Sequence, residues 1–288
     1  QQEHESTRDA LIRMLKEGLP KKEKIYIRAG ASRTMHKVTI NDTIERWVRE
    51  RSRFGVTDLH FRGTKFYDKV DAEAISYFNL LTHCPYDVSF LEMLTLVISS
   101  RGIFSDSHSD DGDGSNHCFV GKKLWLAWDR TEGQQNGLQD CTYDPVYDQA
   151  RFSMKKFASL KSAHWFLVSD NRTLFMPGHF THKVITLEPY IGFGSFYVTI
   201  PGYLNTLKRW LLYDTSDVKG DFLAILNRYS IKKIKQVAAL PEAAREKWGL
   251  QYLHQAARNW KKGLSVSQVD RLSGDETFNH FLRFASVV

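Results

Sequence analysis

The chain has 288 residues, 42% hydrophobic and 25% charged, with a formal net charge of +7. That balance supports a sizeable buried core and excludes disordered and fibrous classes, and no apolar run approaches the ~20 residues of a membrane-spanning helix. Three cysteines, Cys84, Cys118 and Cys141, lack metal-type spacing, which argues against a disulfide scaffold or zinc ribbon and for a reducing compartment.

The first residues, 1–5, carry neither a signal-peptide pattern nor an initiator Met, as expected of a processed or excised chain. Residues 6–18 read as a helix: Ser6 caps it, Leu11, Ile12 and Leu15 form its apolar side, and Gly18 and Pro20 stop it. Residues 24–28 alternate as a short strand. Residues 41–43 open a second helix with Ile44, Trp47 and Val48 inward, and 58–62 read as another strand, with His60 a surface or packed residue. Residues 71–81 are rich in β-branched and aromatic types and read as a strand, as do 95–104 and 122–129. Residues 131–147 form a Gly/Gln/Asp-rich connection and 148–160 a helix. Strands follow at 163–168 and 172–176, turned by Ser169-Asp170-Asn171, and at 190–198. After Pro201 the pattern becomes helical: 204–213, 222–229, 231–239, 241–262 and 276–284. Lys232, Lys233, Lys235, Lys261 and Lys262 read as solvated faces, with nucleic-acid contact the alternative.

Two stretches carry chemistry. Residues 104–110 hold a His-x-Asp pair, His108 and Asp110, and His182 lies 74 residues beyond His108. Two imidazoles and one carboxylate form the protein ligand set of a non-haem Fe(II) centre with open positions. In a strand, residues two apart share a face, so His108 and Asp110 can reach one metal, and the third ligand must come from a strand distant in sequence. A plain polar turn is the bland alternative, since 105–114 is rich in Ser, Asp and Gly. A Ca²⁺ loop lacks its closing Glu, because His117 stands there. His179, three residues before His182, competes as the distal ligand. Lys122 and Lys123 are adjacent in a strand and face opposite sides, so only one can serve the cavity.

The order of these motifs resembles the JmjC family of 2-oxoglutarate oxygenases, closest to the histone lysine demethylase subgroups that carry an F-box or PHD finger. Ser105 stands three residues before His108, where the family has Thr. Gly121-Lys122-Lys123 matches its Gly-x-Lys, and Thr173-Leu174-Phe175-Met176-Pro177 matches the strand before the distal His. The resemblance covers roughly residues 75–200. Besides Ser105, it departs from the pattern in three places. Lys123 is 15 residues after His108, two fewer than the family's spacing, which a trimmed loop at 111–114 would explain; His179 is unlike the family's residue; and Phe78-Asn79 replaces a Tyr-Asn pair.

The resemblance implies a mainly β fold with helices: a double-stranded β-helix (jelly-roll, cupin-like) core at 75–200, an N-terminal helical and strand support at 1–74, and a C-terminal helical domain at 201–288. It implies Fe(II) held by His108, Asp110 and His182, with 2-oxoglutarate and O2 as cosubstrates. Lys123 would bind the far carboxylate, helped by Ser105 and by Asn79, for which a strand-end structural role is the alternative. The implied activity is lysine demethylation of a methylated histone tail in the nucleus, with nucleosome or DNA contact through basic surface and no membrane. A protein hydroxylase, a non-catalytic JmjC-like module and a cupin-type small-molecule binder are the rivals.

Overall fold

The computed structural model describes residues 5–29, 35–50, 53–70, 78–81, 94–110, 112–138, 152–178, 180–212, 220–260, 266, 269 and 276–285. Helix α1 (Thr7–Gly18) begins where Ser6 Oγ accepts from Asp9 N, and it buries Leu11 and Leu15. A Ser at this position satisfies one of the unpaired N–H groups that every helix start leaves. Strands β1 (Lys24–Ala29) and β2 (Met35–Thr39) pair antiparallel, and Thr39 caps α2 (Ile40–Arg49). This helix packs Ile40, Ile44 and Trp47 with Leu11 and Leu15 against β3 (Phe54–His60) and β4 (Leu94–Ser99). His60 is exposed.

Two long strands dominate the rest: β5 (Asp113–Asp129) and β8 (Phe180–Tyr197), paired along their whole lengths. On the other edge of β5 lie β6 (His164–Ser169) and β7 (Thr173–Met176), and β4 pairs with the second half of β8. The antiparallel sheet runs β2-β1-β3-β4-β8-β5-β6, with β7 beside β5.

Midway along β5 and β8 the register slips. Gly121 has φ +99, and a Cβ there would run into the Pro189 carbonyl. Pro189 has no N–H to give the ladder, so a bulge at this point is the natural accommodation. It divides each long strand into two halves. The second half of β5 sends Leu126 and Trp128 into a cluster with Leu138, Phe157 and Leu160, beside α3 (Arg130–Gln135) and α4 (Met154–Ala158). This covers one face of the strand and leaves the other, with Lys123 and Trp125, to line a cavity.

The C-terminal helices are α5 (Tyr203–Leu212), α6 (Gly220–Ala238), α7 (Glu242–Lys247), α8 (Leu253–Asn259) and α9 (Glu276–Ala285). Their core joins Ile231, Ile234, Val237, Leu253 and Phe281 to Leu80, Leu81, Val198 and Ile200. Lys232 and Lys235 are exposed, and the Lys233 and Lys235 ammonium groups lie over the Trp248 and Phe284 rings. Lys261 and Lys262 lie outside the described residues. Among the described residues, no helix is long and apolar enough to cross a membrane.

Several expectations from the sequence change, among them the connection expected at 131–147, whose start is helix α3. Strand β4 ends at Ser99 rather than continuing to 104, because the chain turns at 100–102. The strand expected at 71–81 is not seen in its described part, since 78–81 form a turn, and 71–77 lie outside the described residues. The helices expected at 222–229 and 231–239 are one, α6. The helix expected at 241–262 is broken at Gly249, whose φ of +71 suits a residue without Cβ. Residues 139–151, including Cys141 and most of the expected connection, also lie outside the described residues, as does Cys84.

Candidate metal centre and anion pocket

After its turn the chain comes back along the first half of β8. Ser105 N donates to Val184 O at 2.8 Å, and Ser105 Oγ accepts from Val184 N at 2.9 Å. His108 and His182 then face each other in an isolated antiparallel bridge, with N–H···O distances of 3.0 and 2.7 Å. Between the Phe104–Ile185 and His108–His182 bridges, one chain advances four residues and the other three. The ligand segment therefore carries a bulge, and this re-aims its side chains. Direct backbone pairing fixes the two imidazoles against each other, although 74 residues separate them in sequence.

His108, Asp110 and His182 each bring a donor atom to one place, all within 4.8 Å of one another, and the group could hold a metal ion. The imidazole rings lie 4.2 Å apart between centroids. His108 Nδ1 is 2.8 Å from the Asp106 carbonyl and His182 Nδ1 is 3.4 Å from the Phe180 carbonyl. A carbonyl only accepts, so in each ring Nδ1 carries the hydrogen and Nε2 is left with its lone pair, the tautomer a metal requires. Those Nε2 atoms lie 3.9 and 3.8 Å from the Asp110 carboxylate oxygens. Neighbouring donors about 2.1 Å from an octahedral ion sit roughly 3 Å apart, so binding needs each nitrogen about 1 Å nearer the carboxylate and the widest donor pair up to about 2 Å closer. The donor set of neutral nitrogen and one carboxylate suits Fe(II). His179 lies outside the described residues.

The triad opens into a cavity of about 810 Å³, within the range of small-molecule sites. Its wall includes Thr95, Val97 and Ser99 of β4, Lys123 and Trp125 of β5, and His182, Val184 and Thr186 of β8. The alternation of these numbers is the pleat of each strand. Trp125 lies 5.3 Å from the His182 ring and holds it from the side. Tyr26 and Met35 of the β1–β2 hairpin also line this cavity, and both are more than half exposed.

Lys122 and Lys123 part company at the bulge. Lys122 reaches outward to Glu188 at 2.6 Å, whereas Lys123 is buried and lines the cavity. Its Nζ lies over the Tyr190 ring, 4.1 Å from the centroid, and among the described residues no carboxylate pairs with it. Burial pushes the Lys123 ammonium down from 10.5 to about 7. A buried cation beside a ring, without a counter-ion, is a seat for an anion. Tyr190 is held in turn by its hydroxyl, which donates to Asn116 Oδ1 at 2.5 Å.

Ser105 lines the cavity, and among the described residues its Oγ accepts from Val184 N and its hydroxyl hydrogen has no acceptor. Asn79 is buried elsewhere. Its Oδ1 accepts from Leu81 N at 3.1 Å and Val198 N at 3.0 Å, and it is absent from the cavity wall. It ties the 78–81 turn to the end of β8, in keeping with the structural alternative. The sequence reading missed Ser99, Trp125 and Thr186 as wall residues, and Tyr190 as the ring beside Lys123. Alternation around Lys123 and His182 was the signal that could have found Trp125 and Thr186.

No family model matches the chain, and no curated protein matches it significantly.

Proposed function

We propose that the protein is an Fe(II)- and 2-oxoglutarate-dependent dioxygenase of JmjC type, with a double-stranded β-helix core, that removes methyl groups from histone lysine. One observation carries the reading: a His-Asp-His donor set and a buried lysine, paired with no carboxylate among the described residues, face the same cavity. His108, Asp110 and His182 would hold the iron through two Nε2 atoms and one carboxylate. Lys123 would hold the far carboxylate of 2-oxoglutarate as a charge-assisted pair in a site of low dielectric. Ser105 would add a hydroxyl donor on the same wall.

Iron and 2-oxoglutarate, when bound, supply oxidation of a substrate C–H bond by O2 with release of succinate and CO2; the protein supplies orientation and exclusion of water. Hydroxylation of an N-methyl carbon gives a hemiaminal that loses formaldehyde. Hydroxylation of a side-chain carbon gives a stable alcohol. Trp125 and the His108–His182 bridge fix the ring planes, and the Asp106 and Phe180 carbonyls keep both histidines in the metal-binding tautomer. A methylated histone tail is the proposed substrate, in the nucleus, with the basic surface of the C-terminal helices toward the nucleosome.

The test is incubation with iron, ascorbate, 2-oxoglutarate and a panel of methylated histone peptides, read by mass spectrometry. Loss of a methylene mass with formaldehyde supports demethylation. Gain of one oxygen moves the assignment to a protein hydroxylase. Unchanged peptides across the panel, with no succinate formed, would overturn the demethylase reading.

A further inference from the structure

Strand β2 forms one edge of the sheet and β6 the other, with β7 continuing along the same side of β5. Among the described residues no strand pairs with the outer side of β6, so a row of its N–H and C=O groups faces away from the sheet. Protein edges are commonly blunted by a charged side chain or a proline. Residues 162–169, Ser-Ala-His-Trp-Phe-Leu-Val-Ser, contain no Lys, Arg, Asp, Glu or Pro. Instead Trp165 is 69% exposed, Leu167 46% and Phe166 39%, and Phe175 of β7 is 59% exposed.

The exposed apolar surface lies on both faces of the strand. Trp165 and Leu167 stand opposite Leu126 and Leu124 of β5, and Phe166 stands opposite Trp125. Directly opposed residues project to the same side, so Trp165 and Leu167 share one face and Phe166 takes the other. A helix or a flat surface laid on the sheet covers one face only. A strand added at the edge covers both, because its alternate side chains flank the two faces while its backbone meets the outward groups. The strand required is short, uncharged and apolar on both sides. β6 is itself such a strand.

Antiparallel pairing of two identical edges is closed by a two-fold axis perpendicular to the sheet, the symmetry of most dimers. With the axis at Phe166, Trp165 faces Leu167 of the second copy on one face, and the two Phe166 rings meet on the other. Trp165, Phe166, Leu167 and Phe175 leave roughly 400 Å² of apolar surface per chain, taking about 150–250 Å² for a whole aromatic side chain. A stable interface covers about 800 Å² per partner, somewhat over half of it apolar, so one such edge approaches what a dimer needs. We propose that the protein is a homodimer joined by its β6 edges, with one sheet running from the first copy into the second. The interface uses no residue of the metal triad, so it stands whether or not the oxygenase reading does.

The test is sedimentation equilibrium of the full chain. A chain of 33.3 kDa should sediment at twice that mass at micromolar concentration. Trp165→Glu and Leu167→Lys should each raise the dimer dissociation constant about a hundredfold or more, since each change enters the interface twice at an apolar anchor. The double variant Trp165→Glu/Leu167→Lys should regain the dimer, because the register places each new carboxylate opposite a new ammonium of the second copy. Circular dichroism matching wild type checks that each variant folds. Amide hydrogen exchange over 164–168 in wild type should slow as concentration rises, a readout that needs no variant. A wild type that stays monomeric at tens of micromolar would overturn the proposal, even if it captured an added apolar β-peptide. So would a dimer undiminished by both single variants, or a double variant that remains monomeric.

Discussion

Lys123→Met removes a buried charge while keeping a side chain of similar length. In the ligand-free protein this should stabilise the fold. An unfolded lysine holds its proton up to about 10.5, whereas in the fold burial brings Lys123 to about 7. At about 1.36 kcal/mol per pH unit, that difference is roughly 5 kcal/mol of burial cost below pH 7. The cation's contact with the Tyr190 ring is lost in the variant, which takes back about 1 kcal/mol. A net gain of roughly 4 kcal/mol should raise Tm by about 8 °C or more. The pH dependence fixes the cause. Between about 7 and 10.5 the unfolded chain binds the extra proton, so wild-type stability rises with pH across that window. The advantage of Lys123→Met should therefore be largest at or below pH 7 and shrink toward pH 10. Thermal denaturation of both proteins from pH 6 to 10 is the assay. A variant less stable than wild type at pH 7, or an advantage that does not shrink with pH, would refute the buried-cation argument. On the proposed function, 2-oxoglutarate with metal should stabilise wild type, and the same variant should lose that effect.

Other perturbations test the frame around the site. Asp113 is buried, and its carboxylate accepts from Gly178 N, Thr199 N and Thr199 Oγ1. Asp113→Ala should cost roughly 3 kcal/mol in chemical denaturation, since it leaves buried donors unpaired. It should also weaken metal binding, because the Gly178 turn leads into the strand bearing His182. Burial holds the Asp113 carboxyl above its usual range, so its unfavourable charge is relieved as pH falls through that raised value, and the deficit of Asp113→Ala relative to wild type should widen there. Gly121→Ala forces a Cβ into the Pro189 carbonyl at φ +99 and should destabilise by about 3 kcal/mol or more, measured the same way. Trp125 lies against the His182 ring, so metal binding should change tryptophan fluorescence in wild type and much less in Trp125→Phe.

Several parts of this fold were readable in the residues. Ser6 and the Leu11/Leu15 spacing marked α1, and Ser169-Asp170-Asn171 marked the turn between β6 and β7, where Asn171 takes φ 57. Strand alternation showed that only one of Lys122 and Lys123 could serve, the Gly-x-Lys resemblance picked Lys123, and the partner that draws Lys122 outward, Glu188, lies in a strand far along the chain. The long strands were harder. Glycines, serines, an asparagine and Pro189 interrupt the alternation of β5 and β8, and only pairing along their whole lengths compensates for weak local propensity. His108 and Asp110 were found by spacing, but the reason expected for their convergence was wrong in detail. They lie not on the extension of β4 but on a bulged segment pinned to β8. Asn79 was picked by resemblance, and its two backbone partners become apparent only once Leu81 and Val198 are neighbours. Ser99 and Thr186 are ordinary strand hydroxyls in sequence, and only the fold brings these residues, 87 apart, together in the cavity wall.

The central claim is that His108, Asp110 and His182 hold one metal ion. Titration of the metal-free protein with Fe(II) under anaerobic conditions, by calorimetry, tests it most directly. One ion per chain is expected, and His108→Ala, Asp110→Ala and His182→Ala should each lower the affinity by about a hundredfold or more. Undiminished binding in His182→Ala, or no binding in wild type, would contradict the account.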